Sequence, residues 1–126
     1  MPWELSYLED LKIVQTIYTE PFTLEDLKDA ALSAMTLAQE KQTGLFLADC
    51  STFTQSGNTM DIYKLGAFLE SINVNFHLHI KEALIEPPGV QNVANDLRFF
   101  ETVATNRMIK VKVFKDTKAA LIWLVE

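Results

Sequence analysis

The chain has 126 residues, 48% of them apolar and 22% charged, which suits one globular domain spanning 1–126. Its formal net charge is −6, and its eleven Lys and Arg are scattered along the length, which excludes nucleic acid as the expected partner. The lone Cys50 excludes an internal disulfide and fits a reducing cytoplasm, the expected location.

Met1-Pro2-Trp3-Glu4 carries no basic segment followed by an apolar run, so no signal peptide is expected. No apolar stretch approaches the ~18 residues that span a bilayer, so no membrane is expected either. Trp3, Leu5 and Tyr7 alternate with Glu4 and Ser6 and predict a first strand with one apolar face. Glu9-Asp10 breaks it, and Leu11 to Tyr18 supplies a second, so an antiparallel hairpin is the expected joint.

Thr23-Leu24-Glu25-Asp26 reads as a helix start, a hydroxyl cap followed by two acids in the first turn. Leu24, Leu27, Ala31, Ala34, Met35 and Ala38 then share one helical face, and Thr43-Gly44 closes the segment. Leu45 to Ala48 is a short strand ending at Asp49. Cys50 to Asn58 is a polar loop, and Thr59 is placed to cap a second helix carrying Ile62, Leu65, Phe68, Leu69 and Ile72.

Phe76 to Ile85 predicts a fourth strand with His77, His79 and Lys81 on one face and Leu78 and Ile80 on the other. Pro87-Pro88-Gly89 breaks it ahead of a third helix, whose Val90, Val93, Ala94, Leu97, Phe100, Val103 and Ala104 recur at three and four. Asn106 suits a left-handed end. Ile109 to Phe114 alternates apolar and charged, giving a fifth strand with Lys110 and Lys112 on one face, and Asp116 caps a last helix with Ala119, Ala120, Trp123 and Leu124.

The predicted order is β-β-α-β-α-β-α-β-α. Burying Glu4, Ser6, His77, His79, Lys81, Lys110 and Lys112 under helices would cost ~2–7 kcal/mol per unpaired polar group, and more for charges. The expected architecture is therefore a five-stranded mixed α/β sheet in sequential order, with helices mainly on one face and the polar face open.

The hairpin, the Thr-Leu-Glu-Asp helix start, the strand ending in Asp49 and the closing Lys-Val-Phe-Lys-Asp…Ala-Leu-Ile-Trp-Leu together resemble the anti-sigma-factor-antagonist-like (STAS, or SpoIIAA-like) fold of small stand-alone bacterial proteins. The resemblance implies a regulatory, non-enzymatic domain working through protein–protein contact. It also implies a phosphoacceptor serine between the third strand and the next helix. Ser56 is the nearest residue, with Gln55 where the pattern has aspartate, and it sits about two residues closer to the strand.

Other chemistry is thin. His77 and His79 have His-x-His spacing, about 7 Å apart along a strand, but catalytic zinc needs a third ligand and Lys81 shares their face. Asp49, Cys50 and Ser51 stand at the carboxyl end of a strand, where α/β chemistry gathers, and an enzyme would need them to meet Glu86. Four separated glycines provide no phosphate loop. No metal or cofactor is expected. If the last two strands are neighbours, His77, His79, Lys81, Lys110 and Lys112 form a basic interaction surface on an acidic chain, fit for self-association as a homodimer or for a protein partner. The alternative expectation is a small-molecule or lipid-binding module with its pocket between sheet and helices.

Overall fold

A computed structural model describes residues 2–55 and 57–126, which form five strands and four helices. The hairpin pairs β1 (Trp3–Leu8) with β2 (Ile13–Tyr18), antiparallel, from Trp3 opposite Tyr18 to Leu8 opposite Ile13. Its turn takes four residues rather than two. Lys12 supplies the left-handed conformation (φ 59°) in a loop that lacks glycine, and its carbonyl accepts from Thr43 Oγ1 at 2.6 Å.

Helix α1 (Leu24–Lys41) starts in a full capping box: Thr23 Oγ1 accepts from the Asp26 N–H, and Asp26 Oδ2 accepts from the Thr23 N–H. After β3 (Leu45–Asp49), helix α2 (Thr59–Phe76) is capped one residue earlier than expected. Asn58 Oδ1 accepts from the Met60 and Asp61 N–H groups. Strand β4 (Lys81–Ile85), helix α3 (Gln91–Thr105), strand β5 (Lys110–Phe114) and helix α4 (Thr117–Val125) complete the order. Asp116 caps α4 through the Ala119 N–H. Asn106 stays right-handed, and the positive φ after α3 falls at Met108 (65°) instead.

The strands lie in chain order, β1-β2-β3-β4-β5, with every pair after the hairpin parallel. Helices α1, α2 and α3 cover one face. There Val14, Phe46, Ala48, Leu84 and Val111 of the sheet pack with Ala34, Met35, Ala38, Leu69, Phe100 and Ala104. Gly66 lets α2 approach α3, since a Cβ there would sit 2.5 Å from Val103 Cγ1. A Cβ on Gly44 would collide with the backbone carbonyl of His79, so the β3 entrance also requires glycine.

The other face is not left wholly to water. Helix α4 crosses it above β3, β4 and β5, burying Ala120 and Leu124 against Leu47, Ala83 and Ile85. The physical reason lies in the central strands: Leu45-Phe46-Leu47-Ala48 and Ala83-Leu84-Ile85 are apolar on both faces, the pattern of strands covered on two sides. Exposed polar positions remain at the two ends of the sheet, Glu4 and Ser6 on β1 and Lys110 and Lys112 on β5. Among the described residues no helix is long and apolar enough to cross a membrane.

Candidate functional site

Between the sheet and its three-helix face the packing is incomplete. Short side chains line the space from both layers, Ala31 and Ala34 on α1 and Thr16 and Ala48 on the sheet. The result is a cavity of about 260 Å³ between β2, β3, β4 and the inner faces of α1, α2 and α3. Exposed Gln55, Gly57 and Asn58 line it where the β3–α2 loop opens to solvent. Elsewhere the walls are mainly apolar, with Leu24, Leu27, Leu65, Leu69, Leu97 and Phe100 among them.

One charged group projects from the sheet into this chamber. Glu82 stands on β4 opposite Phe46 of β3 and Val111 of β5, both apolar and buried. Its carboxyl makes no hydrogen bond or ion pair with any described residue. Burial pushes its carboxyl up to about 7. Two further groups on the lining feel that charge. Tyr18 is raised well above the ordinary phenol value by burial first, then by Glu82 and Cys50. The Cys50 thiol is raised by burial, then by Glu82 and Asp49. A thiol so held is a poor nucleophile, since reactivity belongs to the thiolate. Asp61 of α2 and Asp96 of α3 add acidic lining, and among the described residues no Lys, Arg or His lines the chamber.

The carboxyl ends of β2 and β3 shape the mouth. Tyr18, Phe22 and Phe53 cluster there, with ring centroids 4.7 Å apart for Phe22–Phe53, 6.1 Å for Tyr18–Phe53 and 6.4 Å for Tyr18–Phe22. Glu20 pins the β3–α2 loop against them. Its carboxylate accepts from Thr54 Oγ1 (2.7 Å), the Thr54 N–H (3.1 Å) and the Gln55 N–H (3.2 Å). The Thr54 hydroxyl contributes most to holding the Glu20 carboxyl below its ordinary value, with the two N–H groups adding to it. From α3, Asp96 Oδ2 accepts from the Gly57 N–H at 2.7 Å.

The residues singled out by sequence are distributed differently from expectation. His77 is not on a strand: it is the left-handed C-cap of α2 (φ 56°), and β4 begins only at Lys81. His79 is exposed in the connecting segment, so the two imidazoles do not share a strand face. Among the described residues no three His, Cys, Asp or Glu gather as a metal site. Lys81 and Lys110 are register partners. Lys81, however, turns under the end of α4, donating to the Trp123 carbonyl at 2.6 Å, with Nζ 4.7 Å from the Trp123 ring centroid. Lys110 lies over the same ring at 5.6 Å, and Lys112 lies 5.4 Å over Phe114. Ser56 lies outside the described residues.

Asp49, Cys50, Ser51 and Glu86 lie at adjacent strand ends, the Cys50 N–H donating to the Ile85 carbonyl at 3.1 Å, but their side chains take separate partners. Asp49 accepts from the Ser51 N–H at 2.9 Å, Cys50 faces the chamber, and buried Glu86 pairs with Arg98 at 3.3 Å on the α3 side. The residue that sequence reasoning missed is Glu82. Its signal was present: the apolar face of β4 and the residues before it read Leu78, Ile80, Glu82, Leu84, a carboxylate interrupting an inward row. No family model, curated protein or solved structure matches the chain.

Proposed function

We propose that this chain is a non-catalytic binding module for a small, mainly apolar molecule, held in the chamber between the sheet and α1–α3. The observation that carries the reading is the chamber itself, about 260 Å³ of space with apolar walls and a single carboxyl on its sheet floor. A cavity of about 150 Å³ lined by Leu, Ile and Phe accommodates benzene, so this one takes roughly ten heavy atoms. At about 0.5 kcal/mol per heavy atom, inside the range for small ligands, the dissociation constant is on the order of 0.1 mM.

The resemblance to the SpoIIAA-like fold fits the element order, and with it a regulatory role in which occupancy of the chamber is the signal. Docking through the basic strand face has less support, because Lys81 is committed to the carbonyl end of α4.

The test is a methyl-resolved NMR titration with 2-phenylethanol, a neutral probe of suitable size. The Ala31, Ala34, Ala48 and Leu65 methyls should shift at millimolar probe while those of Ala120 and Leu124 beneath α4 stay in place. Absence of chamber shifts, or equal shifts on both faces of the sheet, would overturn the reading.

A further inference from the structure

The chamber's charge is one-sided, and that narrows what it accepts. Its acidic lining groups are Glu82 on β4, Asp61 on α2 and Asp96 on α3, the last engaged by the Gly57 N–H. The lining supplied by α1 is uncharged, as is the β5 neighbour Val111, and the remaining titratable groups are Tyr18 and Cys50, both neutral. A ligand carboxylate or phosphate would meet like charge with no cation to offset it, in surroundings of low polarity that strengthen the repulsion. A neutral ligand would leave Glu82 without a partner. An ammonium would give Glu82 a charge-assisted hydrogen bond, the partner that no described residue supplies to its carboxyl. The aromatic rings of Tyr18, Phe22 and Phe53 at the mouth suit the apolar body of the same ligand, since they offer it ring surfaces to pack against. The net charge of −6 favours approach of a cation as well.

Resting on the chamber reading above, we infer that the ligand class is an apolar primary amine bound as its ammonium ion, nitrogen against Glu82 and apolar body toward Tyr18, Phe22 and Phe53. Binding then carries a proton exchange. Below about 7 the empty chamber holds Glu82 protonated, and an ammonium must displace that proton to form the pair. Above that point the carboxylate is already present, and the ammonium persists up to the amine's own pKa of about 10.

The experiment measures 2-phenylethylamine, 2-phenylethanol and 3-phenylpropanoate on the intact chain and on Glu82→Gln, from pH 5.5 to 8.5. At pH 8 the amine should bind at least about tenfold tighter than the alcohol, and the carboxylate at least about tenfold weaker. Amine affinity should fall toward tenfold per pH unit below 7 while the alcohol's stays flat. Glu82→Gln should bring the amine level with the alcohol and leave the alcohol unchanged, which also reports an intact chamber. Should that variant not fold, the pH profile of the wild-type chain decides alone. Alcohol binding with no amine preference, a flat amine profile, or a preference that survives Glu82→Gln would overturn this inference and leave the chamber reading standing. Binding by none of the three would remove both.

Discussion

Replacing Glu82 by glutamine should stabilise the unliganded protein, and only above acid pH. The Glu82 carboxyl is raised from 4.5 to about 7 by burial, so the folded state holds its proton more tightly than the unfolded chain. Its favourable contribution is complete below 4.5, declines as pH rises, and is gone above 7, where the folded protein must carry an unpaired carboxylate. At about 1.4 kcal/mol per pH unit, the span from 4.5 to about 7 corresponds to about 3 kcal/mol. Glu82 retains some exposure to the chamber, and water entering it would soften the penalty, so this figure is an upper bound. The amide of Glu82→Gln keeps shape and polarity and removes only the charge. Urea unfolding should find the two proteins within about 0.5 kcal/mol at pH 4.5 and the variant ahead by about 2–3 kcal/mol at pH 8. The corresponding rise in Tm is about 10 °C for a domain of this length. An equal difference at both pH values, or no difference at pH 8, would refute the claim that an uncompensated charge sits on the chamber floor.

Three further predictions concern the frame around the chamber. Gly44→Ala should destabilise by about 3 kcal/mol or more, because its Cβ meets the His79 backbone carbonyl, while Gly66→Ala should cost about 1–2 kcal/mol because Val103 is a side chain that can give way; chemical denaturation would separate them, and equal costs would contradict the contrast. Lys81→Met should cost about 1–2 kcal/mol and speed amide exchange in α4 by removing a cation from its carbonyl end, whereas Lys110→Met should stay within about 0.5 kcal/mol; similar effects from both would argue against the Lys81 anchor. Cys50 in the native protein should react with iodoacetamide at least about 100-fold more slowly than in urea, since burial disfavours its thiolate; native labelling at the unfolded rate would show the thiol to be accessible and ionisable.

Much of the frame was legible because it is set locally. The Thr23 and Asp116 caps, the strand ending at Asp49 and the hairpin depend on residues within a few positions of one another, and they form as expected. Sequential strand order followed from the helices between strands. The position of α4 was harder, since Asp116 and the apolar run after it specify a helix but not which face it covers; that is decided by the doubly apolar Leu45–Ala48 and Ala83–Ile85 strands. His77 misled for a related reason. Alternation through 77–81 mimics a strand, yet α2 runs on to Phe76 and His77 takes the left-handed cap, with Asn73 Oδ1 accepting the Leu78 N–H at 2.9 Å. A pocket between sheet and helices stood among the sequence expectations, but its place did not, because its small lining residues, Ala31 and Ala34 in one layer and Thr16 and Ala48 in the other, are far apart in the chain.

The most direct test of the chamber as a binding site is the dissociation constant of 2-phenylethanol for the wild-type chain and Ala31→Leu, measured side by side. Leucine at 31 would project three additional carbons into the space while α1 keeps a good helix former. The account predicts at least about tenfold weaker binding in a variant whose Tm is unchanged or higher. Equal affinity for the two proteins would place the ligand outside the chamber and contradict it.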